Sequence, residues 1–176
     1  MQKKGLALLE SLTQAHSVPG FEDEVREIFV NELREYGELG SDKAGSVYCR
    51  KGDSGPKIMV EGHMDEVGFR VQTILPNGFL KMVPVGGWWG HTLLSQRVEV
   101  KTFSGDKIMG TICSRPPHFL SEAERNKVIG VPNMFVDITA RSQAEAEEWG
   151  VRLGDPICPW SPWTPMRQKG WYMTKS

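Results

Sequence analysis

The chain has 176 residues, 39% of them hydrophobic, which suffices for one domain of ordinary size, or two small ones, with a buried core. Its 21 basic and 22 acidic residues nearly cancel and are interspersed, so neither nucleic acid nor an anionic membrane is a predicted partner. No apolar run of about eighteen residues indicates a membrane span, and the first residues lack the pattern of a secretory signal. A cytoplasmic protein is therefore predicted, and its three widely spaced cysteines are typical of reduced thiols.

Two helices are predicted at the start of the chain, from apolar residues at helical spacing. The first carries Leu6, Leu8, Leu9 and Leu12, and the second carries Val25, Ile28, Phe29 and Leu33. Acidic residues 22–24 fall in the first turn of the second helix, where the helix dipole favours negative charge. Short strands are predicted next, over 46–50 and 57–61.

After His63 the pattern changes to short, closely spaced strands with tight turns, which is typical of a small barrel or sandwich. The predicted strands cover 67–75, 79–84, 97–103, 107–113 and 134–138. Ser121 to Glu124 and Ser142 to Glu145 each have the capping-box pattern that opens a short helix. The change in composition near residue 68 predicts an α/β lobe interrupted by an inserted β domain.

The candidate site lies at His63 and Asp65, at the end of the predicted strand 57–61, whose centre is apolar. Positions two apart on an extended segment face the same side, so the Asp65 carboxylate can reach the imidazole, fix its tautomer and improve it as a metal ligand. A single histidine at a strand end is more often structural, but the carboxylate favours a metal site. Glu61 and Glu66 are interpreted as solvated or structural residues.

Other chemistries find less support in the sequence. No GxSxG motif, no cysteine beside a histidine and no Gly-rich phosphate loop is present. The segment 84–91 contains two glycines before two tryptophans, which favours a tight turn that packs large rings over a core rather than an aromatic binding surface. Structural roles are predicted for His91 and His118, and His16 is interpreted as a residue at the C-terminal end of the first helix.

Six motifs, in the same order along the chain, resemble the N-terminal half of the M42 (glutamyl aminopeptidase-like) metallopeptidases. They are Val18-Pro19-Gly20-Phe21-Glu22, Gly62-His63-Met64-Asp65-Glu66-Val67-Gly68-Phe69, Pro84-Val85-Gly86-Gly87-Trp88-Trp89, Gln96-Arg97-Val98, Arg115-Pro116-Pro117-His118 and Gly150-Val151-Arg152-Leu153-Gly154-Asp155-Pro156. The resemblance implies an α/β peptidase lobe, a sheet flanked by helices, interrupted by a small β-barrel-like domain. On this basis residues 1–68 begin the lobe, 69–165 form the inserted oligomerisation or substrate domain, and 166–176 return to the lobe.

The resemblance also implies an activity, the removal of N-terminal residues from peptides by an enzyme with two divalent metals, zinc or cobalt. His63 then corresponds to a ligand of one metal, and Asp65 to the catalytic-site carboxylate that orients it. The remaining ligands and the general base of such enzymes correspond to positions beyond Ser176. We therefore expect this chain alone to bind metal weakly or not at all and to be inactive. A dodecamer-type homo-oligomer is a further implication.

Two other functions remain open at this point. The inserted domain could serve as a non-catalytic oligomerisation or binding module. Alternatively, the chain could be part of a related two-metal amide hydrolase such as a deacylase, because a His-x-Asp sequence at a strand end is common to many such enzymes.

Overall fold

The computed structural model describes residues 3–175, and it begins with the two predicted helices. Helix α1 spans Lys3–Gln14 and helix α2 spans Asp23–Leu33. The first turn of α2 contains Asp23 and Glu24, as the charge pattern predicted. An antiparallel hairpin follows, with β1 at Glu38–Ser41 and β2 at Val47–Arg50. The sequence predicted β2 but not β1, whose residues have little intrinsic strand preference.

The strand predicted over 57–61 is wrong. Residues 51–67 form no helix or strand in the described part of the chain. The apolar side chains of Ile58, Met59 and Val60 are 87%, 82% and 93% exposed. Consecutive apolar residues such as these are typical of a strand that is buried on both faces of a sheet. A strand also needs a neighbouring strand for its hydrogen bonds. Within residues 3–175, no strand pairs with this segment.

Six strands form a closed antiparallel barrel in the order β3-β4-β7-β6-β5-β8. Their bounds are β3 Gly68–Ile74, β4 Leu80–Val85, β5 Arg97–Lys101, β6 Lys107–Ser114, β7 Met134–Asp137 and β8 Pro156–Pro159. The first five confirm predicted strands, whereas β8 was missed because prolines begin and end it. Closure pairs every strand on both sides, so the barrel presents no open edge.

The main core lies inside this barrel, because alternate residues of each strand point inward. Its fully buried side chains include Phe69, Leu80, Val100, Val136 and Ile157.

The turn at 84–91 packs only one of its two tryptophans over this core. Trp88 stacks on Phe69 with 4.7 Å between ring centroids, and its indole N–H donates to the Gly68 carbonyl at 2.9 Å. The prediction of a ring-packing turn is therefore confirmed for Trp88. Trp89 is exposed, so the same prediction is wrong for it. The chain direction at the turn sends the two adjacent rings to different sides.

Two short helices lie between barrel strands along the chain, α3 at Glu122–Arg125 and α4 at Gln143–Glu148. The capping box of α3 is confirmed, because Ser121 and Glu124 bond each other's backbone N–H. At α4 the Ser142 hydroxyl accepts from the Glu145 N–H, but the Glu145 carboxylate accepts from the Arg141 N–H instead of Ser142. The second predicted capping box therefore has only the hydrogen bond accepted by Ser142 and lacks the reciprocal one.

The last part of the chain forms a small hairpin and returns to α1. Strands β9 (Thr164–Pro165) and β10 (Tyr172–Met173) pair antiparallel. The Gln14 side chain then donates to the Thr174 hydroxyl at 2.8 Å. None of the helices in the described part of the chain combines the length and apolar character that crossing a bilayer requires.

Candidate active-site segment

His63 and Asp65 contact each other on the extended segment that leads into the barrel. The His63 Nδ1 lies 2.9 Å from the Asp65 carbonyl oxygen and 3.1 Å from the Asp65 Oδ1. Both oxygens can only accept, so Nδ1 carries the proton and donates to them. In the neutral ring this leaves the Nε2 lone pair free. The predicted contact between these two side chains is therefore present, although the strand predicted to create it is not.

The ring is accessible from solvent, since the His63 side chain is 84% exposed and that of Asp65 is 46% exposed. An exposed imidazole with a fixed tautomer can act as one metal ligand. A catalytic zinc normally needs three protein ligands. Within residues 3–175, no group of three or more His, Cys, Asp or Glu side chains is placed to hold a metal ion. The residues present thus fit one ligand position with its orienting carboxylate, rather than a complete metal centre.

Glu66 follows this pair directly and is deeply buried. Its carboxylate accepts from the Lys175 ammonium at 2.6 Å, and the two side chains are only 7% and 6% exposed. Sequence reasoning left Glu66 as either solvated or structural, and the structure decides for structural. Lys175 lies 109 positions away. No local pattern could have paired the two residues.

A second polar cluster joins the N-terminal helices to the barrel. The Glu24 carboxylate accepts from Lys101 at 2.7 Å and from Lys107 at 2.9 Å, and it also accepts from the His16 N–H at 2.9 Å. Burial raises the pKa of Glu24, but these three donors outweigh it and leave the pKa at about 2. Glu24 is therefore ionised at neutral pH.

His16 is fully buried, and its Nε2 lies 2.7 Å from the Glu99 carboxylate. Burial lowers the pKa of His16 to about 4 and outweighs the opposing effect of this hydrogen bond. The neutral ring donates from Nε2, which leaves Nδ1 as an acceptor without a partner in the described part of the chain. The sequence placed His16 at the end of the first helix, and it lies buried two residues after α1 ends at Gln14.

The thiols of half-buried Cys113 and buried Cys158 do not add a nucleophile to the site. Cys113 lines a cavity of about 410 Å³ beside β6 and α3, and burial with nearby Asp137 raises its pKa. Burial raises the pKa of Cys158 to about 12. A protonated thiol is a weak nucleophile, so neither Cys113 nor Cys158 is suited to nucleophilic catalysis.

The sequence of this chain matches a known protein family. The family model of the M42 glutamyl aminopeptidases matches residues 45–176. The chain belongs to this family. Among curated relatives, the lysyl aminopeptidase of Pyrococcus furiosus is 35% identical over 150 residues, which cover 84% of this chain and 43% of that protein.

Solved structures of M42 relatives share the fold over nearly the whole chain. The TET aminopeptidase of the marine sediment archaeon Thaumarchaeota archaeon SCGC AB-539-E09 aligns with a TM-score of 0.89 at 44% identity, covering 94% of this chain and 47% of that one. The TET1 peptidase of Pyrococcus horikoshii, which can assemble into a tetrahedron or a large octahedral shell, aligns with a TM-score of 0.82 at 28% identity, covering 92% and 48%. The chain thus spans less than half the length of the M42 relatives it matches.

Proposed function

We propose that this chain supplies part of the two-metal site of an aminopeptidase that removes N-terminal residues from peptides. The observation that carries the proposal is the His63 ring, held with its Nδ1–H toward Asp65 and its Nε2 free. His63 would hold one divalent ion through Nε2, and Asp65 would fix the ring and raise its basicity. Imidazole and carboxylate donors suit either zinc or cobalt. Such an ion would serve as a Lewis acid toward the scissile carbonyl.

The chain alone is proposed to bind metal weakly and to hydrolyse nothing. Its described residues bring together fewer ligands than a catalytic metal needs. The M42 relatives are about twice as long as the aligned part of this chain. We propose that the further ligands and the general base come from polypeptide equivalent to the remainder of those relatives.

A test compares the chain alone with the same chain joined to the remaining part of the Thaumarchaeota TET aminopeptidase. Each protein is assayed with Zn²⁺ or Co²⁺ on aminoacyl p-nitroanilides. We expect no hydrolysis by the chain alone and hydrolysis by the joined protein. His63→Ala should remove tight binding of one of the two metals and the activity, whereas the control Glu61→Gln should change neither. Unchanged metal content and activity in His63→Ala would contradict the ligand assignment.

We also propose the domain arrangement in which residues 1–68 and 166–176 belong to an α/β peptidase lobe and 69–165 form an inserted domain. Two contacts support it. The Thr174 hydroxyl meets Gln14, and the Lys175 ammonium donates to the Ala15 carbonyl at 2.7 Å. These bonds bring the last described residues back to α1 after the barrel has closed.

A homo-oligomer of the dodecamer type is proposed for the same chain, by analogy with the TET peptidase PhTET1-12s, whose structure contains a dodecamer. One observation favours a second candidate function, a non-catalytic oligomerisation module. The barrel is complete within the described residues, whereas the metal centre is not. Light scattering on the purified chain, together with the assay above, separates the two. A defined assembly combined with inactivity of the joined protein would favour the module.

A further inference from the structure

The segment that carries His63 and Asp65 is fixed at few points. Strand β2 ends at Arg50, and Glu66 is the next residue whose backbone bonds to another part of the described chain. The Glu66 N–H donates to the Ser17 carbonyl at 2.8 Å. Residues 57–63 are exposed. The position of the His63 ring relative to the rest of the molecule therefore depends on how Glu66 is held.

Glu66 is held by its side chain as well as by its backbone. Its Oε1 accepts from the Lys175 ammonium at 2.6 Å and from the Ser17 N–H at 3.3 Å. The Lys175 ammonium donates in addition to the Ala15 carbonyl. One ion pair thus joins three segments that are distant in sequence. They are the loop after α1, the residues just before β3 and the end of the described chain.

Burying such a pair is costly. Removing two charges from water is unfavourable, and apolar residues of similar volume often replace a buried pair without loss of stability. Stability alone is therefore a poor reason for an ion pair at this place. Its position one residue after Asp65 gives a functional reason.

We propose that Glu66 and Lys175 are positioning residues for the candidate metal ligand. The pair fixes the end of the exposed segment so that the Asp65 carbonyl and carboxylate stay within reach of Nδ1, and Nε2 keeps one direction. This inference rests on the proposed role of His63. It adds that the ligand is oriented by Asp65 and also, through Glu66, by Lys175. Lys175 lies 109 positions after Glu66.

The test uses the 176-residue chain and four variants: Glu66→Gln, Lys175→Met, the double variant with both changes, and the control Glu61→Gln. Glu61 lies on the same exposed segment. Thermal unfolding reports stability. Long-range ¹H–¹⁵N correlation spectra of ¹⁵N-histidine protein at pH 8 report the His63 tautomer, with its signal assigned through His63→Ala. Titration with Co²⁺ reports metal affinity.

We expect the single variants to unfold at lower temperature, because each leaves one buried charge without its partner, and the double variant to regain most of that loss. In all three the His63 signal should move from the Nδ1–H tautomer toward the Nε2–H tautomer that predominates in free histidine. Co²⁺ affinity should fall about tenfold, the size typical of losing an orienting group. Glu61→Gln should match the wild type.

The double variant decides the proposal, because it separates stability from positioning. A double variant with recovered stability and the wild-type His63 tautomer would overturn it. A shifted tautomer at recovered stability would support it, since a purely structural pair would not move this signal. If His63→Ala leaves Co²⁺ binding unchanged, the ligand assignment under the proposed function is wrong, and the tautomer result still decides the positioning role.

Discussion

At the scale of single residues, the segment around His63 has one local contact, between His63 and Asp65, and one distant ion pair, between Glu66 and Lys175. The hydrogen bond to Asp65 follows from a separation of two positions, and the sequence predicted it. The ion pair of Glu66 with Lys175 needs the folded chain. Under the proposals above, the local contact leaves the His63 Nε2 free for a metal, and the distant ion pair fixes where the ring lies.

Asp65→Asn tests the local contact. The Asp65 backbone carbonyl still accepts from Nδ1 in this variant, so the tautomer should persist, whereas the negative charge that makes the ring more basic is lost. We expect Co²⁺ affinity of the joined protein to weaken about tenfold, near the lower end of effects at such positions. Isothermal titration measures it. An affinity equal to that of the wild type would show that the carboxylate does not act on the ring.

At the scale of elements, the barrel strands joined by tight turns were predicted correctly. The strand predicted at 57–61, before the barrel, was wrong. The turn at 76–78 joins β3 to β4, and the Gly78 N–H donates to the Leu75 carbonyl at 2.8 Å. Its residue types alone indicate such a turn. Residues 57–61, with three apolar residues at their centre, also have the composition of a strand. A strand forms only beside another strand, and composition does not reveal whether one is present.

A pair of glycine substitutions tests the turns. Gly78 and Gly105 both have positive φ, 85° and 94°. A Cβ at Gly78 would lie 2.3 Å from the Ala140 carbonyl oxygen, whereas at Gly105 nothing lies within 4 Å. We expect Gly105→Ala to lower the free energy of unfolding by about 1–2 kcal/mol from backbone strain alone. Gly78→Ala should lower it by about 1–3 kcal/mol more because of overpacking. Urea unfolding measures both, and equal losses would contradict the close approach.

At the scale of the whole molecule, charged groups attach the N-terminal helices to the barrel. Glu24 on α2 meets Lys101 and Lys107 from β5 and β6, and His16 meets Glu99. Both Glu24 and His16 have a pKa below the ordinary value for their type. The unfolded chain therefore binds more protons at these groups than the folded one as the pH falls.

This attachment predicts acid sensitivity in two steps. Stability should fall from pH 6.5 to about 4, where His16 takes up a proton only when unfolded. It should fall further from pH 4.5 to about 2, where Glu24 does the same. Glu24→Gln should lower the unfolding temperature at pH 7 and flatten the second step. Glu27→Gln, an exposed position on the same helix, should keep the wild-type profile. A second step as steep in Glu24→Gln as in the wild type would contradict this role.

The sequence by itself determined the features that depend on neighbours along the chain. These are the helices α1 and α2, five of the six barrel strands, the α3 capping box and the His63–Asp65 contact. Each arises from periodicity, turn chemistry or short spacing, which the chain carries locally. The six motifs added the family, whose model matches residues 45–176.

Only the tertiary structure decided the rest. It closed the barrel through β8, left 57–61 without a neighbouring strand within residues 3–175, and buried Glu66 against Lys175 and His16 against Glu99. The physical reason is the same in each case. A strand partner or a buried counter-charge comes from a residue far away in sequence, and local patterns contain no information about which distant residue it is.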